Sequence, residues 1–119
     1  MKEIDELLAY LVDNVDGALA AFVGGSDGLL IEQHPKQGQD MSGVTAQWTN
    51  VLTAMNSVSA GLKAGKVEEA IMTSEKVIAY ARLLNTELFC VVIMNPSGNI
   101  GKARLYSQKL AKNLLEVFA

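Results

Sequence analysis

Few side chains in this sequence combine the type and the spacing that catalysis requires. His34 is the one histidine, and it stands directly before Pro35 with no cysteine or aspartate close by in sequence to complete a triad. Cys90 is the one cysteine, set inside Leu88–Met94, a run apolar at every position, so it reads as a small core residue. One cysteine and one histidine cannot assemble a Cys/His zinc site. The acids Asp5, Asp13, Asp16, Asp27, Glu32 and Asp40 fall near helix starts, turns or strand ends, where capping and solvation account for them. Nothing in their spacing points to a paired general acid and base. The expectation is a protein that is not an enzyme and holds no cofactor.

Two glycine-rich stretches invite a phosphate-binding reading. Gly24-Gly25-Ser26-Asp27-Gly28 lies between two apolar runs, whereas a phosphate cradle uses the free N–H groups at a helix start, so a hairpin turn is the better reading. Gly98-Asn99-Ile100-Gly101-Lys102 does follow a strand pattern and precede a helical one. A nucleotide loop needs an upstream glycine where Pro96 stands, and a hydroxyl after the lysine where Ala103 stands. Both requirements fail.

With chemistry this sparse, the elements carry the argument. Residues 2–13 place Ile4, Leu7, Leu8, Leu11 and Val12 at helical spacing, with Glu3, Asp5 and Glu6 where the helix dipole favours carboxylates and Asn14 and Gly17 as stops. Ala18–Val23 and Leu29–His34 read as hairpin strands, the second ended by Pro35, followed by a polar loop over 36–40. From Met41 the period changes: Met41, Val44, Trp48, Val51, Leu52, Met55, Val58 and Leu62 follow helical spacing over about six turns. Asp40 or Ser42 is placed to cap its start, and Gly61 or Gly65 its end. No charged residue occurs between Asp40 and Lys63, although a solvated helix usually carries charge on its outer face, so this helix is expected to be covered on two faces. Trp48 and the methionines on it serve either as core or as interface anchors, for which both types are enriched.

Val67–Thr73, Val77–Leu84 and Leu88–Met94 read as three strands joined by turns short enough for antiparallel hairpins. The last, apolar on both faces, belongs in the middle of a sheet covered on each side; the more polar Val67-Glu68-Glu69 suits an edge. A final helix over about 101–118 presents Ala103, Tyr106, Leu110, Leu114 and Val117 as its apolar stripe. The order is helix-strand-strand-helix-strand-strand-strand-helix, α/β in content with an antiparallel sheet, because links without a helix are too short for parallel crossovers.

The chain has 119 residues, half of them apolar and 19% charged, with net charge −3 and a pI near 5.0. That length suits a single domain over 1–119, and a core that needs no disulfide or metal. Average soluble domains are roughly a quarter charged, so less polar surface than usual is available and a partner covering apolar surface is expected. Lysines and arginines are scattered, which argues against nucleic acid. The acidic, amphipathic N-terminus is unlike a signal peptide, and no apolar run approaches the ~20 residues that span a bilayer, so a soluble cytoplasmic protein without membrane insertion is expected.

The sequence resembles the roadblock family, the dynein light chain-type domain also found in prokaryotic regulators of small GTPases. One match is Val15–Ile31, with a glycine before a small-residue strand and an Asp-Gly turn into an aliphatic strand. Another is Asn99–Leu105 at the start of the last helix, and the order of elements agrees throughout. The resemblance implies a profilin-like, five-stranded antiparallel sheet with helices on both faces. It also implies a homodimer formed by the third strand and middle helix, and a Ras-like small GTPase as partner, with hydrolysis stimulated or the GTPase only scaffolded. On that basis the surface for self-association or partner binding is placed at Gln47, Trp48, Asn50, Val51, Ala54, Met55 and Val58, with Glu69, Ile71 and Thr73 on the strand. Arg82 and Arg104 are cations a GTPase site could use, but neither is expected on a mobile loop, and an arginine finger is not assigned. A small-ligand sensor and a subunit of a heteromeric roadblock scaffold are the alternatives.

Overall fold

In the computed structural model, which describes residues 3–117, α1 (Ile4–Asn14) turns Leu7, Leu8 and Leu11 onto the sheet and exposes Glu6, Tyr10 and Asp13. The remaining elements are β1 (Ala18–Gly25), β2 (Leu30–His34), α2 (Ser42–Gly61), β3 (Glu69–Thr73), β4 (Ile78–Leu83), β5 (Leu88–Met94) and α3 (Ile100–Val117). The helical reading of Lys2 and Phe118, and the place of Val117 in the apolar stripe, lie outside the described residues and side chains.

All neighbouring strands are antiparallel, in the order β2-β1-β5-β4-β3. The all-apolar β5 is the central strand, flanked by β1 and β4 and covered by helices on both faces. Leu8, Leu11, Val23, Tyr80, Cys90, Val92, Met94, Ala103 and Leu110 fill the layer under α1 and α3, while Phe22, Trp48, Leu52, Ala79, Ala81, Phe89 and Val91 fill the layer under α2. Alternation along each strand sends neighbouring residues to opposite layers. Gly24 lets α2 approach β1: a Cβ there would stand 2.5 Å from Thr45 Cγ2 and 2.8 Å from Phe89 Cζ.

At the start of α2 the cap position falls to Met41, which makes no side-chain cap, rather than to Asp40 or Ser42; Asp40 Oδ1, one residue upstream, accepts hydrogen bonds from Ser42 N (2.9 Å) and Ser42 Oγ (2.7 Å). The end of α2 differs from the sequence reading. Neither Gly61 nor Gly65 caps it; Lys63 takes the left-handed conformation (φ 54°), Ala64 N–H bonds Ser59 O and Lys63 N–H bonds Ala60 O. That is a Schellman closure with lysine where glycine is usual. β3 begins two residues later than the apolar pattern suggests, because Val67 N–H is taken by Asn56 Oδ1 of α2 at 2.9 Å.

The two stretches that carry the family resemblance meet in space. Asn99 N–H bonds Asp16 O, Asn95 N–H bonds Gly17 O, and Lys102 Nζ pairs with Asp16 Oδ2 at 3.2 Å. Gly17 (φ 82°) is packed so closely that a Cβ would lie 2.7 Å from Gly98 Cα. Asn99 Oδ1 accepts from Lys102 N–H and caps α3. Gly25–Gly28 is the β1–β2 turn, closed by Gly28 N–H to Gly25 O and by Leu29 N–H to Asp27 Oδ1.

Candidate protein-interaction surface

The two ends of the sheet are built differently. Register slips along β2 between its pairings at Leu30 and Glu32, leaving Ile31 as a bulge, a device that blunts an edge against pairing. At the other end, Leu83 N–H bonds Glu68 O and Ser74 N–H bonds Val77 O, so the even-numbered peptide groups of the third strand face β4. Alternation then points the N–H and C=O groups of Glu69, Ile71 and Thr73 away from the sheet. Ile71 is 45% exposed on one face of β3 and Met72 47% exposed on the other. An unbulged edge with apolar side chains on both faces is a template for another strand.

α2 continues this surface. Thr45, Trp48 and Leu52 are turned to the sheet and buried. Trp48, 8% exposed, packs with Leu52, Phe89 and Val91, so of the two roles open to it core packing is the one it fills, and it is not a surface anchor. Gln47, Asn50, Val51, Ala54 and Val58 face outward, with Met55 half-buried beside them. Val51, Met55, Val58 and Leu62 form one apolar flank, and an open hollow of about 420 Å³ separates its end from the start of β3. The apolar flank and the β3 edge therefore adjoin.

Glu69 is engaged within the chain. Its carboxylate receives two hydrogen bonds from Arg104 Nε (2.9 and 3.1 Å) and one from Nη2 (2.7 Å), one from the Tyr80 hydroxyl and one from Arg82 Nη1 at 3.4 Å. Arg104, and less strongly Tyr80 and Arg82, hold the Glu69 carboxyl down at about 2. Burial, with the Glu69 carboxylate alongside, pushes the Tyr80 phenol up to about 12. The cluster ties edge strand β3 to α3 from below, as Asn56 ties its lead-in to α2 from above. The sequence reading puts Glu69 on the partner surface; in the fold its backbone lies on the free edge of β3, while its side chain serves as a clamp. The signal was weak, since Glu69 and Arg104 are 35 residues apart. Both guanidiniums considered as GTPase cations are committed to this carboxylate.

The other chemical candidates stay apart. His34 ends β2 at the lip of an open hollow with Asp5, Glu6 and Lys36, and Lys36 Nζ pairs with Asp5 Oδ2 at 3.2 Å. Cys90 is fully buried, which pushes its thiol up to about 11. Among the described residues no three His, Cys, Asp or Glu side chains converge as a metal site, and no helix is long and apolar enough to cross a membrane. A shallow cleft of about 780 Å³ lies between the end of α2 and the β4–β5 turn, lined by Asn56, Lys66, Val67, Arg82 and Asn85 among others.

No protein-family model matches the sequence, and no curated protein matches it. Solved structures do. A Roadblock/LC7 domain from Streptomyces avermitilis superposes with a TM-score of 0.90 at 14% identity over 98% of each chain. MglB of Myxococcus xanthus superposes at 0.87, with 19% identity over 97% of this chain and 94% of that one. MglC of Myxococcus xanthus is 32% identical across 91% of this chain and 92% of its own, with a TM-score of 0.62. The chain belongs to the roadblock family. On this roadblock sheet the outward face of α2 and the free edge of β3 adjoin, and Trp48 lies buried beneath α2.

Proposed function

We propose that this roadblock chain is a non-catalytic, cytoplasmic regulator or scaffold, one domain over 1–119, that pairs with itself through β3 and α2 and binds a Ras-like small GTPase. The observation that carries the pairing is the free β3 edge with its apolar side chains on both faces. Antiparallel pairing about a two-fold axis at Ile71 sets Ile71 against the partner's Ile71, and Glu69 against the partner's Thr73. Each opposed pair exchanges two N–H···O bonds. The same register lays the partner's Met72 beside Ala70, whose small side chain leaves room for it, next to the hollow below Met55 and Val58. A shift of two residues toward the turn would instead oppose Glu69 to the partner's Glu75. A two-fold pair of this kind is self-complementary.

The GTPase assignment rests on family membership and on the uncharged outer face of α2. Titrating the Ras-like GTPase encoded nearest in the genome, in its GDP and GTP-analogue states, tests it while hydrolysis is followed. Preferential binding to the GTP form with faster turnover identifies an activating regulator; binding without acceleration identifies a scaffold. Binding to neither form refutes the assignment for that pair. Self-pairing is tested by sedimentation: Met72→Lys should convert dimer to monomer with the far-UV spectrum unchanged, and an unaltered dimer would exclude this register. The 780 Å³ cleft supports a second reading, a small-ligand sensor, for which a rise in Tm with a small molecule is the test. Heterodimers on mixing with other roadblock chains would identify a heteromeric scaffold subunit.

A further inference from the structure

The helix layer on the other side of the sheet is segregated by charge. α1 and the residue before it expose Glu3, Glu6 and Asp13; α3 exposes Lys102, Lys109 and Lys112. The seam between the two helices is aromatic. Tyr10, 43% exposed, meets Tyr106 with ring centroids 5.8 Å apart, and Lys109 Nζ lies over the Tyr106 ring at 4.7 Å. Leu105, 47% exposed, stands among the lysines. Lys102 is paired with Asp16, but among the described residues none of Glu3, Glu6, Asp13, Lys109 and Lys112 takes part in an ion pair. A solvated helix pair ordinarily intersperses its signs; here, among the described side chains, the charges of α1 are acidic and those of α3 basic.

We infer that the α1–α3 layer is a second self-association surface, whose occupant is the same layer of another copy of this chain. The geometry allows one arrangement. The Asp16–Lys102 pair and the Tyr10–Tyr106 contact set α1 and α3 antiparallel. At 1.5 Å per residue, Glu6 lies about 6 Å and Glu3 about 10 Å from the tyrosine level, and Lys109 and Lys112 about 4.5 Å and 9 Å from it in the same direction. A two-fold axis running along the seam preserves these heights and exchanges the helices. It lays acidic α1 over the basic α3 of the partner, brings Glu6 opposite the partner's Lys109 and Glu3 opposite the partner's Lys112, and stacks the tyrosines at the centre. An axis across the seam would set α1 on α1 and oppose like charges. This surface lies on the face opposite α2, so both associations can be made at once, and neither depends on the other.

Charge reversal tests it on the full chain. At low ionic strength the wild-type mass by light scattering should be at least twice that of the unit that persists at high ionic strength, where screening removes the attraction, and should grow further where β3 pairing gives each unit two such layers. Glu3→Lys/Glu6→Lys alone, and Lys109→Glu/Lys112→Glu alone, should lose the doubling, because both facing pairs then carry like charge. Mixing the two variants should restore it, since both facing pairs are again of opposite charge. Lys109→Arg/Lys112→Arg, which keeps charge and fold, should double like wild type. No doubling of the wild type, doubling by either reversed variant alone, or no recovery on mixing would each overturn the inference. Because the readout is a doubling relative to the high-salt unit, a failure of β3 pairing changes the size of that unit and leaves the test intact.

Discussion

Replacing Glu69 by glutamine isolates what the clamp beneath β3 contributes. The substitution keeps the side chain's shape and removes the charge that receives Arg104 through both of its oxygens, along with the Tyr80 and Arg82 donors. A carboxyl held at about 2 in the folded chain against an ordinary 4.5 corresponds to roughly 3 kcal/mol of folding free energy. The side chain keeps 27% of its surface in water, and solvent screening reduces this to about 1–2 kcal/mol. For a chain of this length that is a fall in Tm of roughly 4–8 °C at pH 7. The folded pKa is depressed, so this stability is fully present above about 4.5 and is lost as pH falls through about 2. The wild-type and Glu69→Gln melting curves, followed by circular dichroism at one protomer concentration, should therefore be well separated at pH 7 and converge between pH 4.5 and 2. Arg104→Gln should show the same convergence. A gap that does not depend on pH, or no gap at pH 7, would refute the reasoning.

Trp48→Ala should cost about 3–5 kcal/mol by emptying the layer under α2, whereas Val58→Ala, at a side chain 64% exposed, should change fold stability by under about 0.5 kcal/mol. Chemical denaturation at high dilution separates the two, and equal costs would contradict the assignment of faces along α2. Lys63→Gly should raise stability by about 1 kcal/mol, or roughly 4 °C in Tm, by relieving a left-handed lysine at the end of α2; no gain would mean that the closure tolerates a side chain without strain. Cys90 should resist thiol reagents in the native protein and react on addition of denaturant, since it is buried and its thiol is pushed up to about 11. Rapid native labelling would contradict its place in the core.

Local pattern was enough for most of the architecture. Leu88–Met94 is apolar at every position, and a strand with no polar face fits only the centre of a sheet covered on both sides, which is where β5 lies. The periods of α1 and α2, the Gly-rich hairpin turn and the two short links around β4 follow equally from side-chain spacing and backbone permissiveness, properties that neighbours in sequence settle among themselves. The missing charge between Asp40 and Lys63 pointed to α2 as a surface that needs a partner. It did not tell which of Trp48, Val51, Met55 and Val58 turn inward, because their spacing suits either side of an apolar stripe and the choice depends on where the sheet lies. Nor could spacing reveal that Glu69 would meet Arg104, that Lys63 rather than a glycine would close α2, or that β2 is bulged while β3 is open. Each of those depends on atoms brought together by strand order and helix placement, across separations at which the chain has no local preference to record.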